Sequence, residues 1–321
     1  MFRSLSLALV LLASAATAGP KFWSSEWPNT DFSRTSVDFA EIFSGGPPKD
    51  GIPAITGPQM LRVVDAASLG AMEPVVVVEL DGETARAYPI RYLTWHEIVN
   101  DRIGETPVAV TFCPLCNSAI TFDARVGERE LEFGVSGKLR YSDMVMYDRN
   151  TESWWQQFIG EAIVGELQGT RLTVLPSWME NWESYAARHP DGLVMAQPAG
   201  HRRDYGRNPY ANYDRSATPF LYRGDPPPHG IRSLSRVVAV GDRAWPLGRL
   251  AEAGELVEDG VRLTWRAGQA SALGASEIAK GRDVGNVRTY DAATGEAIAH
   301  DVAFAFAFHA FHPAGTWMLG K

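Results

Sequence analysis

Two regions of this chain repeat the same short sequence patterns in the same order, and this repetition constrains the fold more than any other feature. Residues 86–90 read RAYPI, and residues 243–247 read RAWPL. Three further pairs follow in the same order, namely 98–101 with 256–259, 108–112 with 261–265 and 147–151 with 290–294. A shared order of matches predicts a duplicated unit, with copies at about residues 72–160 and 235–315.

Short apolar, β-branched runs between Gly and Pro residues predict a chain made mainly of strands and turns. Strands are predicted at residues 75–80, 108–112, 118–122 and, from an alternation of Ala and Phe, 302–308. A helix is predicted to begin either at Pro89, which suits the first helical position, or at Thr94, which has a capping-box spacing with Glu97. A second capping box predicts a helix over residues 177–188.

These elements predict a β-rich α+β fold. Its two degenerate copies of a strand–helix–strand-hairpin unit would pack as one domain, with a long loop layer between them. We expect a signal peptide at residues 1–18, an irregular arm at 19–60 and a single domain at 61–321. A helix and loop insertion is expected at 176–230, where the sequence becomes polar and rich in Pro and Tyr.

The first 18 residues have the composition of a secretory signal. A positive residue, Arg3, precedes an apolar run, and small residues follow it at 16–18. We therefore expect a periplasmic or secreted protein without a membrane span, since no later apolar run is long enough to form one. The formal net charge of −8 argues against nucleic acid as a partner, and no nucleotide-cofactor motif is present. An exported protein partner or a small ligand is compatible with the sequence.

The two cysteines, Cys113 and Cys116, are three residues apart at the end of a predicted strand. A disulfide there would close a very short loop and stabilise the fold little through chain entropy. Two thiolates can instead supply half of a soft-metal site, or act as a redox pair. A second Cys pair, as in a zinc ribbon, is missing from the sequence, so other residue types would have to complete a metal site.

Histidines are the natural candidates for the remaining ligands. His96 lies in the same repeat copy as the thiols, and a helix starting at Thr94 would place it in the first turn. His312 and His309 follow the predicted strand near the C-terminus, and we prefer His312 because Pro313 ends that strand. Aligning the copies places Gly254 opposite His96 and Arg266 opposite Cys113, so the chemistry is expected in the first copy alone.

Other side chains are candidates for supporting roles. Met146 offers soft sulfur and Asp148 could orient an imidazole, although core packing is the favoured interpretation for Met146 and a turn for Asp148. The segment at residues 202–213 contains Arg203, Tyr205 and Tyr210 and could line a pocket for an anionic or aromatic ligand. It could equally be an aromatic loop that packs over the sheet.

The chain resembles the bacterial and archaeal family DUF3179. The resemblance rests on short sequence motifs spread over nearly the whole mature chain: DGIP at 50–53, WHEIVND at 95–101, VTFCPLCNS at 110–118, GKLR at 137–140, MYDR at 146–149, TESWWQQ at 151–157, NPY at 208–210 and FHP at 311–313. The family is one of unknown function, so it implies little chemistry. It implies that Cys113 matters more than Cys116, because some members carry another residue at the second position, and it favours His312 over His309.

Three functions are compatible with the sequence. The first is a copper or zinc site formed by Cys113, Cys116, His96 and His312, with copper preferred. The second is thiol–disulfide exchange with Cys113 as the attacking thiol and Cys116 as the resolving one. The third is a non-catalytic ligand- or partner-binding module in which the cysteines are inert. The sequence does not decide whether the protein is an enzyme.

Overall fold

The computed structural model describes residues 20–66 and 68–320, and most of its regular structure is short β-strands. The predicted signal peptide lies outside the described residues. The strands are, in chain order, β1 (Ile42–Ser44), β2 (Ile55–Thr56), β3 (Met60–Arg62), β4 (Pro74–Val78), β5 (Arg86–Pro89), β6 (Ile98–Ile103), β7 (Thr106–Cys113), β8 (Ser118–Asp123), β9 (Arg125–Val126), β10 (Arg129–Glu130), β11 (Phe133–Arg140), β12 (Asp143–Asp148), β13 (Trp154–Gln156), β14 (Glu161–Val164), β15 (Val174–Leu175), β16 (Ser177–Asn181), β17 (Leu193–Met195), β18 (Arg236–Val240), β19 (Arg243–Pro246), β20 (Glu255–Glu258), β21 (Val261–Arg266), β22 (Asn286–Asp291), β23 (Asp301–Phe304) and β24 (Thr316–Trp317).

Short helices connect these strands. The α-helices are α1 (Pro20–Trp23), α2 (Ile90–His96), α3 (Trp182–Arg188), α4 (Leu247–Ala253) and α5 (Ala305–Phe311). Single turns of 3₁₀ helix lie at Phe39–Glu41, Val63–Asp65, Tyr213–Arg215 and Ile278–Lys280. Within the described residues, no helix has both the length and the apolar character needed to cross a bilayer.

Five small sheets are arranged as a five-bladed β-propeller. Their strand orders are β1-β11-β12-β13-β14, β15-β8-β7-β6-β2, β16-β4-β5-β17-β3, β23-β18-β19-β24 and β20-β21-β22, with β9 and β10 as a separate hairpin. The predicted arm contributes β1 and β2, and β3 begins at its last residue; the three are edge strands of three different blades. The largest apolar cluster is built from residues of several of these sheets.

The predicted α+β fold class is wrong. It assumed that each strand–helix–strand-hairpin unit packs as a unit, whereas α2 connects β5 in one blade to β6 in another. In the second copy α4 likewise connects β19 to β20, which belong to different blades. The strands of one blade come from distant parts of the chain, because β4 pairs with β16 and β18 pairs with β23. Local patterns do not specify such long-range pairings.

The order of elements nevertheless recurs, since β4-β5-α2-β6-β7 is followed later by β18-β19-α4-β20-β21. Each of the two helices ends at a residue with positive φ, Glu97 (φ 59°, ψ −34°) and Gly254 (φ 73°, ψ −37°). The N–H of Glu97 donates to Leu93 O and the N–H of Gly254 donates to Leu250 O. The structure therefore matches Gly254 to Glu97, one residue away from the His96 of our sequence alignment.

Two local predictions also need correction. Residues 177–181 form strand β16 and only 182–188 are helical, because β16 pairs with β4 along its whole length. The Ala/Phe alternation forms a strand only to Phe304, and Ala305 begins helix α5. Ala305 to Phe308 are all fully buried, so no polar face was present to distinguish a period of two from a helical period.

Candidate metal centre

A tight hairpin positions both thiols. Strand β7 ends at Cys113, which pairs with Ser118 at the start of β8, and Cys116 lies in the connecting turn. The N–H of Cys116 donates to Cys113 O at 3.2 Å, and Asn117 takes a positive φ of 53° to close the turn. Both cysteines are buried and free. The predicted placement of the pair between two strands is confirmed.

A second hairpin brings a carboxylate to the thiols. Strands β11 and β12 are joined by Tyr141 and Ser142, both with positive φ, and Asp143 is the first residue of β12. The Ser142 carbonyl oxygen lies 3.6 Å from the Cys116 sulfur and 4.0 Å from the Cys113 sulfur. One ligand atom from each of Cys113, Cys116 and Asp143 lies within 4.8 Å of the other two.

The carboxylate of Asp143 is held from one side only. Its Oδ2 accepts hydrogen bonds from the Gln156 side-chain amide at 2.6 Å and from the Phe158 N–H at 3.0 Å. Its Oδ1 is buried and receives no hydrogen bond from an N–H or O–H group, and the thiols of Cys113 and Cys116 are the remaining donors to the carboxylate. Because a thiol is a weak donor, this oxygen is poorly satisfied and marks a position that a cation could occupy.

Burial disfavours negative charge throughout this cluster. It raises the pKa of Asp143 to about 6, against the opposing hydrogen bonds from Gln156 and Phe158. Burial likewise raises the pKa of the Cys113 thiol and takes the pKa of Cys116 well above its usual value, and the Asp143 charge adds to both effects. No Lys or Arg of the described residues forms an ion pair with Asp143, so a bound cation would be the charge that compensates these three groups.

Glu97 is a further acidic residue at the cluster, and the sequence patterns did not indicate it as a site residue. It is 8% exposed and directly follows α2. Burial raises the pKa of its carboxyl to about 8; the negative charge of Asp143 acts in the same direction, and the adjacent Tyr210 hydroxyl opposes both. The repeated sequence patterns could have indicated Glu97, because the correct alignment of the two regions places Glu97 opposite Gly254.

His96 is buried, but its ring is engaged by groups outside the cluster. It is the last residue of α2, and so does not lie in a first helical turn as one predicted helix start required. Its Nδ1 lies 2.7 Å from Pro53 O and its Nε2 lies 2.6 Å from the Tyr205 hydroxyl. Because a carbonyl only accepts, Nδ1 carries the proton and Nε2 accepts from Tyr205. Burial lowers the pKa of His96 to about 4, which keeps it neutral.

His312 lies on aromatic residues. Its ring stacks on Phe308 at a centroid distance of 5.1 Å and meets Phe158 edge-on at 6.1 Å. Burial lowers its pKa. Among the described residues the only group of three or more potential ligands is Cys113, Cys116 and Asp143, which contains neither His312 nor His96.

Met146, Asp148 and His309, which were predicted to support the site, lie outside the cluster. Met146 is fully buried and belongs to the main apolar cluster. Asp148 accepts from the Thr151 N–H at 2.6 Å and from the Trp155 indole at 2.9 Å, which is a turn-stabilising role. His309 is on α5, 6.4 Å from the Trp317 ring, and is not part of the cluster.

The aromatic loop packs over this region of the blade. Tyr205 meets the Tyr92 ring edge-on at 5.1 Å and reaches His96, while the Arg203 guanidinium lies 5.8 Å from the Trp95 ring. Tyr210 lies beside Glu97. Of the three loop residues predicted to bind a ligand, only Tyr210 lines the cavity described next.

A cavity of about 450 Å³ adjoins the cluster. Leu115, which lies between the two cysteines, and Met144, which follows Asp143, form part of its wall together with Glu97. The loop contributes further lining residues, which include Tyr210, Tyr213 and Phe220. The cavity is thus largely apolar and aromatic, and Glu97 is the acidic side chain in its wall.

These features define a five-bladed β-propeller that holds a buried thiol and carboxylate cluster beside a small cavity. The chain belongs to the family described as protein of unknown function DUF3179, which matches residues 49–315 and so covers most of the sequence. A search of curated proteins and a search of solved structures found no match.

Proposed function

We propose that this protein binds one transition-metal ion through Cys113, Cys116 and Asp143. The observation that supports the proposal best is the buried Oδ1 of Asp143, which has only weak thiol donors, in a carboxylate that lies within 4.8 Å of both cysteines. Three potential anions that share a buried site repel one another unless they hold protons or a cation. A metal ion would satisfy all three together.

The donor set favours zinc over copper(I). Two thiolates suit both metals, but copper(I) selects soft ligands and the third donor is a hard carboxylate oxygen. Two sulfurs bound to one tetrahedral zinc are about 3.8 Å apart, because each Zn–S bond is about 2.3 Å. The matching sulfur–oxygen distance is about 3.5 Å, so no pair of ligand atoms needs to approach by more than about 1.3 Å. Three protein ligands leave a fourth tetrahedral position for water or a ligand, as in catalytic zinc sites.

Metal content of purified protein tests this assignment. Wild-type protein loaded with zinc and desalted should hold one equivalent by mass spectrometry of the metal, and Cys113→Ser and Asp143→Asn should each lose most of it. Asp301→Asn is a matched control, because Asp301 is another buried carboxyl group with a pKa raised to about 6, and it lies outside the cluster. Equal zinc content in wild type and Asp143→Asn would rule the proposed site out.

The histidines predicted as ligands are tested in the same experiment. Because His96 already uses both ring nitrogens, His96→Gln should retain zinc, and His312→Gln should do so as well. Loss of zinc in either variant, with folding intact, would restore that imidazole to the ligand set. Parallel loading with copper(I) under reducing conditions compares the two metals directly.

Thiol–disulfide exchange is a second candidate, supported by the proximity of the two sulfurs. It is less favoured, because an attacking thiol needs an accessible thiolate, whereas both thiols are buried with raised pKa values. A non-catalytic binding module is the third candidate, and unchanged stability and metal content in a Cys113→Ser, Cys116→Ser double variant would favour it.

Export, proposed from the residues at 1–18, is tested by sequencing the N-terminus of the protein recovered from its native host.

A further inference from the structure

Glu97 combines two energetic costs in one residue. Its backbone adopts a φ of 59° at the end of α2, a conformation that the second repeat copy fills with Gly254. A side chain with a Cβ is strained there by about 1–2 kcal/mol. Its carboxyl group is also more than nine-tenths buried, and no basic side chain of the described residues forms an ion pair with it. Strain of this kind is typical of functional sites.

The carboxylate of Glu97 is the acidic group in the wall of the 450 Å³ cavity. Three aromatic residues, Tyr210, Tyr213 and Phe220, line the same cavity. Aromatic faces attract cations, by about 0.5–2 kcal/mol each depending on exposure, and a buried carboxylate gains from an opposite charge. The thiols and Asp143 behind this wall add further negative potential when they are ionised.

The single basic residue among those that line the cavity is Lys138. Its ammonium group does not compensate Glu97, because it pairs with Glu26 at 2.9 Å and lies near the Trp27 ring. The arginines of the aromatic loop do not line the cavity, and Arg203 lies over Trp95 instead. The anionic ligand considered from the sequence therefore has no unpaired positive partner in this cavity.

We propose that the cavity binds a small organic cation, such as a quaternary or protonated amine with an apolar body, whose charge is matched by Glu97. With zinc in place, two thiolates and one carboxylate leave the metal centre with a net negative charge, so a positive ligand remains favourable beside it. The inference rests on the proposed function only for the role of the cavity as the approach to the metal.

Choline and 3,3-dimethylbutan-1-ol are suitable probes because they share one shape and differ in charge. We expect calorimetric titration of the wild-type protein at about pH 9, above the raised pKa of Glu97, to show choline binding at least tenfold more tightly than the alcohol. Glu97→Gln removes the charge with little change of shape and should reduce that ratio to about one. Glu180→Gln changes a buried Glu outside the cavity and should leave the ratio unchanged. Ala211→Trp fills part of the cavity and should weaken both probes.

Equal affinity for the two probes in wild type, or a preference for choline that persists in Glu97→Gln, would overturn the cation assignment. Urea unfolding of each variant establishes that it is folded before titration. The two proposals fail separately, because the quaternary nitrogen of choline cannot coordinate a metal. Protein without zinc affinity that still selects choline through Glu97 refutes the metal centre alone, and zinc-loaded protein without that selectivity refutes the cation site alone.

Discussion

Replacement of Glu97 by Gln should change how the stability of the metal-free protein depends on pH. Burial raises the pKa of the Glu97 carboxyl from 4.5 to about 8 in the folded state. The folded protein therefore holds the Glu97 proton over a pH range in which the unfolded chain has released it. Stability falls with rising pH wherever the folded state binds more protons than the unfolded state. A glutamine side chain does not titrate, so the Glu97→Gln variant lacks this contribution.

The expected magnitude follows from the two pKa values. Below pH 4.5 the carboxyl is protonated in both states and contributes no pH dependence. Between pH 4.5 and pH 8, Glu97 lowers the free energy of unfolding of the wild type by about 1.4 kcal/mol per pH unit. The total loss is about 3 kcal/mol at pH 7. The free energy of unfolding of Glu97→Gln should therefore rise relative to that of the wild type by about 3 kcal/mol between pH 4.5 and pH 7. Above pH 8 this difference should change little more.

The measurement is the free energy of unfolding in urea, at several pH values from about 4.5 to about 8.5, in the presence of a chelator. Asp143 is present in both proteins, so its own titration largely cancels in the difference between them. A difference between variant and wild type that stays constant across this range would refute the reasoning, since it would mean that Glu97 is ionised at its ordinary pKa in the folded protein.

Two further predictions concern groups around the site. Asp214→Ala should lower the free energy of unfolding, measured in urea titrations, by about 3–5 kcal/mol. The reason is that Arg236, which is buried and 3.4 Å from Asp214, would lose its anionic partner. A loss below about 1 kcal/mol would contradict this prediction. Iodoacetamide should label Cys113 and Cys116 slowly at neutral pH in native, metal-free protein and rapidly in urea, since both thiols are buried with raised pKa values, and rapid native labelling would instead support thiol redox chemistry.

Sequence patterns were sufficient for elements whose partners are close in the chain. Strands β7 and β8 and the turn that carries the thiols were predicted because a short hairpin is specified locally. The end of α3 at Arg188 was predicted from the His-Pro pair that follows it. The propeller was not predicted, because its blades combine strands that are far apart in the chain, such as β4 with β16.

The site was predictable in part for the same reason. The two cysteines are close in the sequence, so their proximity was certain, whereas Asp143 reaches them through a separate hairpin and was not among the predicted ligands. Glu97 was hidden by an error of one residue in the alignment of the repeats. Histidine is a common partner of Cys in metal sites, and this general preference directed attention to His96 and His312 instead of to a buried carboxylate.

Residues of β18 and β23, which are distant from the thiols in the sequence, hold the thiol turn in place. The carbonyl of Cys116 accepts a hydrogen bond from the Phe304 N–H at 2.8 Å, and the side-chain amide of Asn117 donates to Val302 O at 2.5 Å. Arg236 in turn donates to the side-chain oxygen of Asn117 at 3.4 Å. These contacts fix the backbone around Cys116 without contacting its sulfur. Because these contacts come from residues 236–304, the geometry of the thiols depends on a part of the chain that contributes no side chain to the cluster.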